Sequence, residues 1–234
     1  MTQNQYSAPD PDIDIALIET MRVDPGPAIP LLAGHRSRLQ ASCQALGYPW
    51  PGEQLFAELG RHAAALDPGK SHRIRLLLDR SGRFTFTSGP LTPTPEPVQI
   101  RLAPQVLEGS AFWLAHKTTH RPWYELAQSW LAMHPEVFDL VFCNEREELS
   151  EGSRCNVYIQ DDQGVWLTPP TDSGLLPGVM RRALIERGDV REARISRADF
   201  LQAPAWRVSN ALRGWLDARF RLGTIKAPGN KEQQ

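Results

Sequence analysis

His116-Lys117-Thr118-Thr119-His120-Arg121 is the stretch from which the fold is best read. A lone lysine is ordinarily a solvated surface charge. Lys117, however, follows Phe112-Trp113-Leu114-Ala115, an apolar run that carries the chain towards the interior. A desolvated lysine loses its charge readily, and the uncharged amine is the form that attacks an aldehyde. Thirty-four residues on, Glu151 stands in Leu149-Ser150-Glu151-Gly152. Beyond it, Thr168-Pro169-Pro170 precedes Gly174-Leu175-Leu176-Pro177-Gly178-Val179-Met180-Arg181, a glycine-punctuated helix start. There the backbone N–H groups of Val179 and Met180 suit an anion. An amine, a carboxylate and an anion-binding helix start are the parts that hold pyridoxal 5'-phosphate. The amine bonds the aldehyde, the carboxylate keeps the pyridine nitrogen protonated, and the helix start takes the phosphate.

Each part also has an ordinary reading. Glu151 lies near a glutamate-rich turn with Glu145, Glu147 and Glu148, and Glu148 competes with it for the pyridine contact. Glu151 is preferred because Gly152 permits close backbone approach and Asn156-Val157-Tyr158 then enters a strand. His116 and His120 are four apart, a spacing that suits a metal on one helical face, yet no third ligand stands at metal-like spacing, so no metal is expected. No Ser-His-Asp set, P-loop or dinucleotide glycine pattern is present.

The chain of 234 residues is long enough for one large domain or two small ones. Its 41% hydrophobic and 23% charged content is that of an ordinary globular protein, and a net charge of −1 favours neither nucleic acid nor an anionic membrane. No apolar h-region opens the sequence, and no run approaches the roughly 20 residues that span a bilayer. Cys43, Cys143 and Cys155 are few and irregularly spaced, which suggests free thiols in a reducing compartment. A cytoplasmic location is expected.

Residues 1–11 and 227–234 read as tails. Ile13 to Arg22 reads as a strand, and His35 to Leu46 as an amphipathic helix stopped by Gly47. Leu55, Phe56, Leu59 and Ala63 suggest a second helix, and alternation at Ile74, Leu76, Leu78 and then Phe84, Phe86 marks a hairpin. Pro90 to Pro97 carries four prolines and marks the domain boundary. After it, strands are expected at 98–102, 138–144, 156–160, 165–167 and 206–209, with helices at 122–134 and 179–187; Asp217 onward has no clear pattern. The expected α/β (α+β) layout is a smaller N-terminal domain over 12–97 and a larger C-terminal domain over 98–226 that carries Lys117. A site in the cleft between the two lobes would follow.

These residues resemble the class IV aminotransferases, the branched-chain and D-amino-acid transaminase fold. The likeness runs from about Ile15 to Phe220. It is carried by Leu17-Ile18-Glu19-Thr20-Met21-Arg22, His35-Arg36-Ser37-Arg38-Leu39, His116-Lys117-Thr118-Thr119, Asn144-Glu145, Glu151-Gly152, Asn156, Thr168-Pro169-Pro170, Gly174 to Arg181, and Ser209-Asn210-Ala211-Leu212-Arg213-Gly214. Within the family it is most like the aminodeoxychorismate lyases. The resemblance implies that Lys117 is the Schiff-base lysine and Glu151 the pyridine partner. It implies that Arg38 binds the cofactor phosphate, with Val179, Met180, Ser209 and Asn210 completing the cup. The implied reaction releases 4-aminobenzoate and pyruvate from 4-amino-4-deoxychorismate, a step towards folate. A substrate with two carboxylates calls for arginines, and Arg22 and Arg213 are the candidates. Pro122 stands where some relatives place tyrosine, so Tyr124 is the candidate for that region. The relatives further imply a homodimer and a functional link to an aminodeoxychorismate synthase. Many carry an extra strand and a glycine-rich turn ahead of the Glu-Thr-x-Arg segment. The alternatives are a transaminase acting on branched-chain or D-amino acids and a non-catalytic cofactor-binding homologue.

Overall fold

The computed structural model describes residues 15–222. The expected tails, and the first two residues of the strand expected from Ile13, lie outside that range. The fold is mixed α+β, and its contacts divide it into two units. One runs to Pro93 and includes Phe112–His120; the other comprises Thr94–Ala111 and the chain from Arg121.

In the first unit, β1 (Leu17–Val23) is followed by α1 (Leu32–Leu46), α2 (Gly52–Ala64) and the hairpin of β2 (His72–Leu78) and β3 (Phe84–Pro90). The strands form an antiparallel sheet in the order β1-β2-β3. Successive side chains of a strand alternate between faces. Leu17, Met21 and Val23 of β1 therefore join Ile74, Leu76 and Leu78 of β2 in the core, against Leu39 and Cys43 of α1 and Leu55 and Leu59 of α2. Glu19 occupies the same face and is 2% exposed. A carboxylate at such a position is costly unless it is paired, and its partners come from α1.

The chain then enters β4 (Val98–Leu102) and a one-turn helix, α3 (Ala111–Leu114). The segment after α3 differs from the sequence expectation. Lys117 was expected on the C-terminal domain, but Phe112–His120 groups with the first unit. The reason is backbone pairing: Ile18 N–H donates to the Lys117 carbonyl at 2.8 Å, and Thr119 N–H to the Ala16 carbonyl at 2.9 Å. Ala16 N–H donates to Thr119 Oγ1 at 2.9 Å, and Leu17 bridges Thr118. The lysine segment thus pairs with the edge of β1 that β2 leaves open.

The second unit continues with a 3-10 turn (Pro122–Tyr124), α4 (Glu125–Met133), β5 (Asp139–Cys143), β6 (Leu149–Gly152), β7 (Asn156–Gln160) and β8 (Trp166–Thr168). It ends with α5 (Val179–Glu186), β9 (Arg191–Glu192), α6 (Arg197–Gln202), β10 (Trp206–Asn210) and β11 (Gly214–Phe220). Eight strands form one sheet in the order β6-β5-β4-β11-β10-β7-β8-β9. The sheet curls, and Gly152 N–H at the end of edge strand β6 donates to the Cys155 carbonyl, just before β7, at 2.8 Å.

One sheet face is dry. Val157 and Ile159 of β7, Val208 of β10 and Leu216 of β11 pack there with Phe200 of α6. The other face of β7 and β10 presents Asn156, Tyr158 and Ser209, with Tyr158 packed against Leu184 and Met180 of α5. The polar residues of interest in this unit gather on that face. Among the described residues, no helix is long and apolar enough to cross a membrane.

Candidate active site

Two lysines fall within the described residues, Lys70 and Lys117. The Lys70 side chain is 71% exposed and pairs with Asp67 at 3.0 Å. Lys117 is half-buried and sits on the segment that pairs with β1. Of the two, Lys117 is the more enclosed.

Arg38 lies on the face of α1 that meets β1. Its Nε donates to Glu19 Oε1 at 2.8 Å, and its Nη2 donates to Glu19 Oε2. His35 Nδ1 lies 2.6 Å from Glu19 Oε2, while His35 Nε2 has no partner among the described residues. Burial alone would raise the pKa of Glu19. The Arg38 charge and the hydrogen bonds from His35 and Arg38 outweigh it, and the carboxyl titrates at about 2. Against an ordinary value of 4.5, that depression corresponds to about 3 kcal/mol of folded-state stability. A depressed carboxyl contributes its stability above the unfolded pKa and loses it as pH falls through the folded one. The stability difference between wild type and Glu19→Gln should therefore be constant above about pH 5 and shrink steadily towards pH 2. Urea unfolding across that range measures it.

Arg22 projects from the opposite face of β1 and pairs with Asp24 at the strand exit. Its side chain is 41% exposed, so an incoming carboxylate would compete with Asp24 for it. His116 and His120 have separate partners: Ser42 Oγ lies 3.0 Å from His116 Nδ1, and His120 packs edge-on against Trp113. No group of three potential metal ligands occurs among the described residues.

In the second unit, Glu151 lies on β6 with its side chain buried. Tyr124 Oη donates to Glu151 Oε1 at 2.6 Å, and Asn156 Nδ2 lies 3.5 Å from Oε2. Both donors are neutral. Tyr124, a candidate for substrate contact, is thus placed against Glu151. It is 1% exposed, edge-on to Phe142, beneath the Arg121 guanidinium at 4.5 Å. Burial and the adjacent Glu151 charge push its pKa well above the usual value, so it stays a neutral donor. Tyr124→Phe would leave a buried carboxylate oxygen without this donor, costing about 1–3 kcal/mol of stability. Thermal unfolding of the apoprotein should show the loss.

Glu148, the competitor, is differently placed. It accepts from Arg146, Asn144 and Arg194, and the hydrogen bonds from Arg146 and Asn144 help hold it down at about 2. The turn after Glu151 is built by Asp139, which is fully buried. It accepts from Ser153 Oγ at 2.6 Å and Cys155 Sγ at 2.9 Å, while burial keeps its pKa raised. A Cβ on Gly152 would sit 2.3 Å from Asp139 Oδ2, so only glycine fits beside Glu151.

The helix start takes its shape from Asn156. Asn156 Nδ2 donates to the Leu176 carbonyl at 3.0 Å, and a Cβ on Gly178 would lie 1.9 Å from Asn156 Oδ1. Gly178 is the N-cap of α5 and supplies no side-chain cap, so Val179 and Met180 begin the helix with uncapped N–H groups. Arg181 anchors the helix by donating to the Pro169 carbonyl at 2.7 Å. Gly178→Ala should displace Asn156 and the helix start together, costing about 1–3 kcal/mol by overpacking. It should also weaken anion binding at the helix, and both effects can be read by calorimetry with inorganic phosphate or pyridoxal phosphate.

Ser209 is buried on β10, with its Oγ 2.7 Å from Tyr158 Oη. The Asn210 amide is spent on the turn between β10 and β11: Oδ1 accepts from Arg213 N–H at 2.8 Å, and Nδ2 donates to the Arg154 carbonyl at 3.3 Å. Asn210, a candidate for the phosphate cup, thus also shapes the turn before Arg213. Asn156, Tyr158 and Glu19 were not among the candidate site residues. Glu19 could have been found as the one carboxylate on the core face of β1.

Each unit, taken by itself, carries features that suit pyridoxal phosphate. The second unit has a buried carboxylate that accepts from neutral donors and a helix start without a side-chain cap, and the first has a half-buried lysine on a segment paired to β1. A family model for amino-transferase class IV matches residues 16–219. The chain belongs to the class IV aminotransferase family, whose members depend on pyridoxal phosphate. A Schizosaccharomyces pombe protein bearing the name "Putative aminodeoxychorismate lyase" is 29% identical over 165 residues, which cover 69% of this chain and 70% of that protein. A solved structure from Mesorhizobium loti, described as a "Putative amino-acid aminotransferase", is 34% identical with a TM-score of 0.81; the match covers 89% of this chain and 100% of that one. The 4-amino-4-deoxychorismate lyase of Pseudomonas aeruginosa shares the fold at 20% identity and a TM-score of 0.72, with 92% and 86% covered.

Proposed function

We propose that this chain is a pyridoxal-phosphate-dependent lyase that converts 4-amino-4-deoxychorismate to 4-aminobenzoate and pyruvate. The observation that carries the choice of reaction is the likeness to the Schizosaccharomyces pombe protein over more than two thirds of both chains. The buried Glu151, the uncapped start of α5 and the Lys117 segment support the cofactor.

When bound, the cofactor supplies an electron sink that stabilises charge developing at the substrate carbon next to nitrogen. Lys117 Nζ would hold the cofactor aldehyde, and its free amine would be the base that takes the proton from the amine-bearing ring carbon. Glu151, oriented by Tyr124 and Asn156, holds a proton at the pyridine nitrogen. The N–H groups of Val179 and Met180 hold the phosphate, with Ser209 contributing its hydroxyl and Arg38 its guanidinium. Arg22 and Arg213 bind the two substrate carboxylates. The ring carbon–oxygen bond would break with its electron pair leaving on the enolpyruvyl oxygen, and the proton held by Lys117 would pass to the methylene carbon of that group. The atoms of one substrate then become 4-aminobenzoate and pyruvate, without an oxidant or a second substrate. General-base transfer of this kind contributes about 10²- to 10⁴-fold. On the same reading the chain works in the cytoplasm as a homodimer, beside a synthase that makes its substrate.

A second reading is favoured by the Mesorhizobium loti likeness, the higher identity of the two. An aminotransferase uses the same cofactor contacts but passes the amino group to a keto acid. Incubation of the holoprotein with enzymatically prepared aminodeoxychorismate separates the two. Release of 4-aminobenzoate and pyruvate in equal amounts is the expected result. No such products, together with conversion of the cofactor to its amine form by an amino acid, would establish the aminotransferase.

A further inference from the structure

The Glu19 carboxylate is the least expected group in the first unit, because it lies on the dry face of β1 among Leu17, Met21 and Val23. It holds the Nε and Nη2 edge of Arg38 in a two-point contact. A guanidinium carries five N–H donors on a rigid plane, so fixing one edge fixes the direction of the other. The remaining edge, which includes Nη1, is the part that can receive a phosphate. His35, one helical turn before Arg38, grips the same Oε2 and stops the carboxylate from turning.

The same strand also holds the lysine segment. Ile18, adjacent to Glu19, donates its N–H to the Lys117 carbonyl at 2.8 Å. Two consecutive residues of β1 thus fix the Lys117 backbone on one side and the Arg38 side chain on the other. The Ser42–His116 contact ties the same two segments a second time, one turn further along α1.

We propose that Glu19 is a positioning residue for cofactor binding: through its clamp on Arg38 it sets the guanidinium for the cofactor phosphate while touching no part of the cofactor itself. This rests on the assignment of Arg38 and Lys117 made above. An oriented arginine loses less freedom on binding than a mobile one, so affinity for the phosphate depends on the clamp.

The test compares pyridoxal phosphate with pyridoxal, which has the aldehyde but no phosphate, by equilibrium dissociation constants on the apoprotein. Wild type should bind the phosphorylated form far more tightly. Glu19→Gln should weaken pyridoxal phosphate by about 10- to 100-fold, the usual cost of losing a group that orients a binding residue. Pyridoxal affinity should change by less than about threefold, within the spread expected of indirect effects. Adding Glu19→Gln to Arg38→Ala should cost nothing more, because the clamp then has nothing to hold. Equal weakening of both ligands would mean general damage and overturn the proposal. Unchanged pyridoxal phosphate affinity in Glu19→Gln, with weakening in Arg38→Ala, would overturn it while leaving the Arg38 assignment standing. No weakening in Arg38→Ala would remove that assignment and the proposal with it. Should Glu19→Gln not fold, Glu19→Asp carries the same comparison: it keeps the charge, shortens the reach and should weaken only the phosphorylated ligand, by a smaller factor.

Discussion

Replacing Lys117 by alanine is expected to abolish the covalent cofactor linkage and lower kcat by about 10⁴-fold or more, since both the nucleophile and the general base are lost. The protein should still fold. The segment is pinned to β1 by backbone groups and by Thr119, and alanine leaves these in place. Apoprotein melting should therefore stay close to wild type while turnover disappears. A high concentration of a small primary amine should restore part of the proton-transfer rate. Residual activity within about tenfold of wild type would instead mean that another group carries the proton, because general bases are seldom worth less than 10²-fold.

Glu151→Gln should be the second most damaging change. The amide keeps the size of the side chain, and its oxygen can still accept from Tyr124, so the surrounding packing should survive. It cannot keep a proton on the pyridine nitrogen, and kcat should fall by about 10²- to 10³-fold, the range for removing one electrostatic stabiliser from an enclosed site. Cofactor affinity should change far less, because Lys117 and the phosphate contacts are untouched. A loss in kcat without a matching loss in binding marks an interaction made mainly in the transition state. Glu148→Gln supplies the control. That carboxylate is committed to Arg146 and Arg194, and exposed ion pairs of this kind contribute at most about 1 kcal/mol to stability. Its kcat should stay near wild type.

Much of the framework could be read from periodicity. Leu39 and Cys43 four apart, with Gly47 after them, describe α1, and the alternation of Ile74, Leu76 and Leu78 describes β2. What could not be read has physical reasons. β6 is four residues long, and its buried members include Ser150 and Glu151, so polarity conceals a strand that is wholly interior. β11 alternates Leu216, Ala218 and Phe220 towards the dry face, but Trp215 on the other face blurs the pattern by stacking under Arg207 at 4.3 Å. Its parallel partner is β4, more than a hundred residues earlier, and no local turn signals such a pairing. α6 begins with a capping box at Ser196 and Asp199, a sequence-level mark that could have revealed it.

The candidate site was legible in part. The order of Lys117, Glu151 and the α5 start could be read because each depends on one residue or one turn. The environment of each could not. That Tyr124 orients Glu151, and that Glu19 holds Arg38, are contacts across 27 and 19 residues of sequence. The placement of Phe112–His120 against β1 escaped for the same reason, since it rests on backbone bonds to Ala16 and Ile18 about a hundred residues away.

The central claim is that Lys117 is the residue that holds pyridoxal phosphate. The chain has four lysines, Lys70, Lys117, Lys226 and Lys231, so the claim can be tested by mapping. Holoprotein reduced with borohydride, digested at arginine and analysed by mass spectrometry should carry one phosphopyridoxyl group, on the peptide that contains Lys117. Reduction that leaves Lys117 unlabelled, or labels Lys70, Lys226 or Lys231 in its place, would contradict the account.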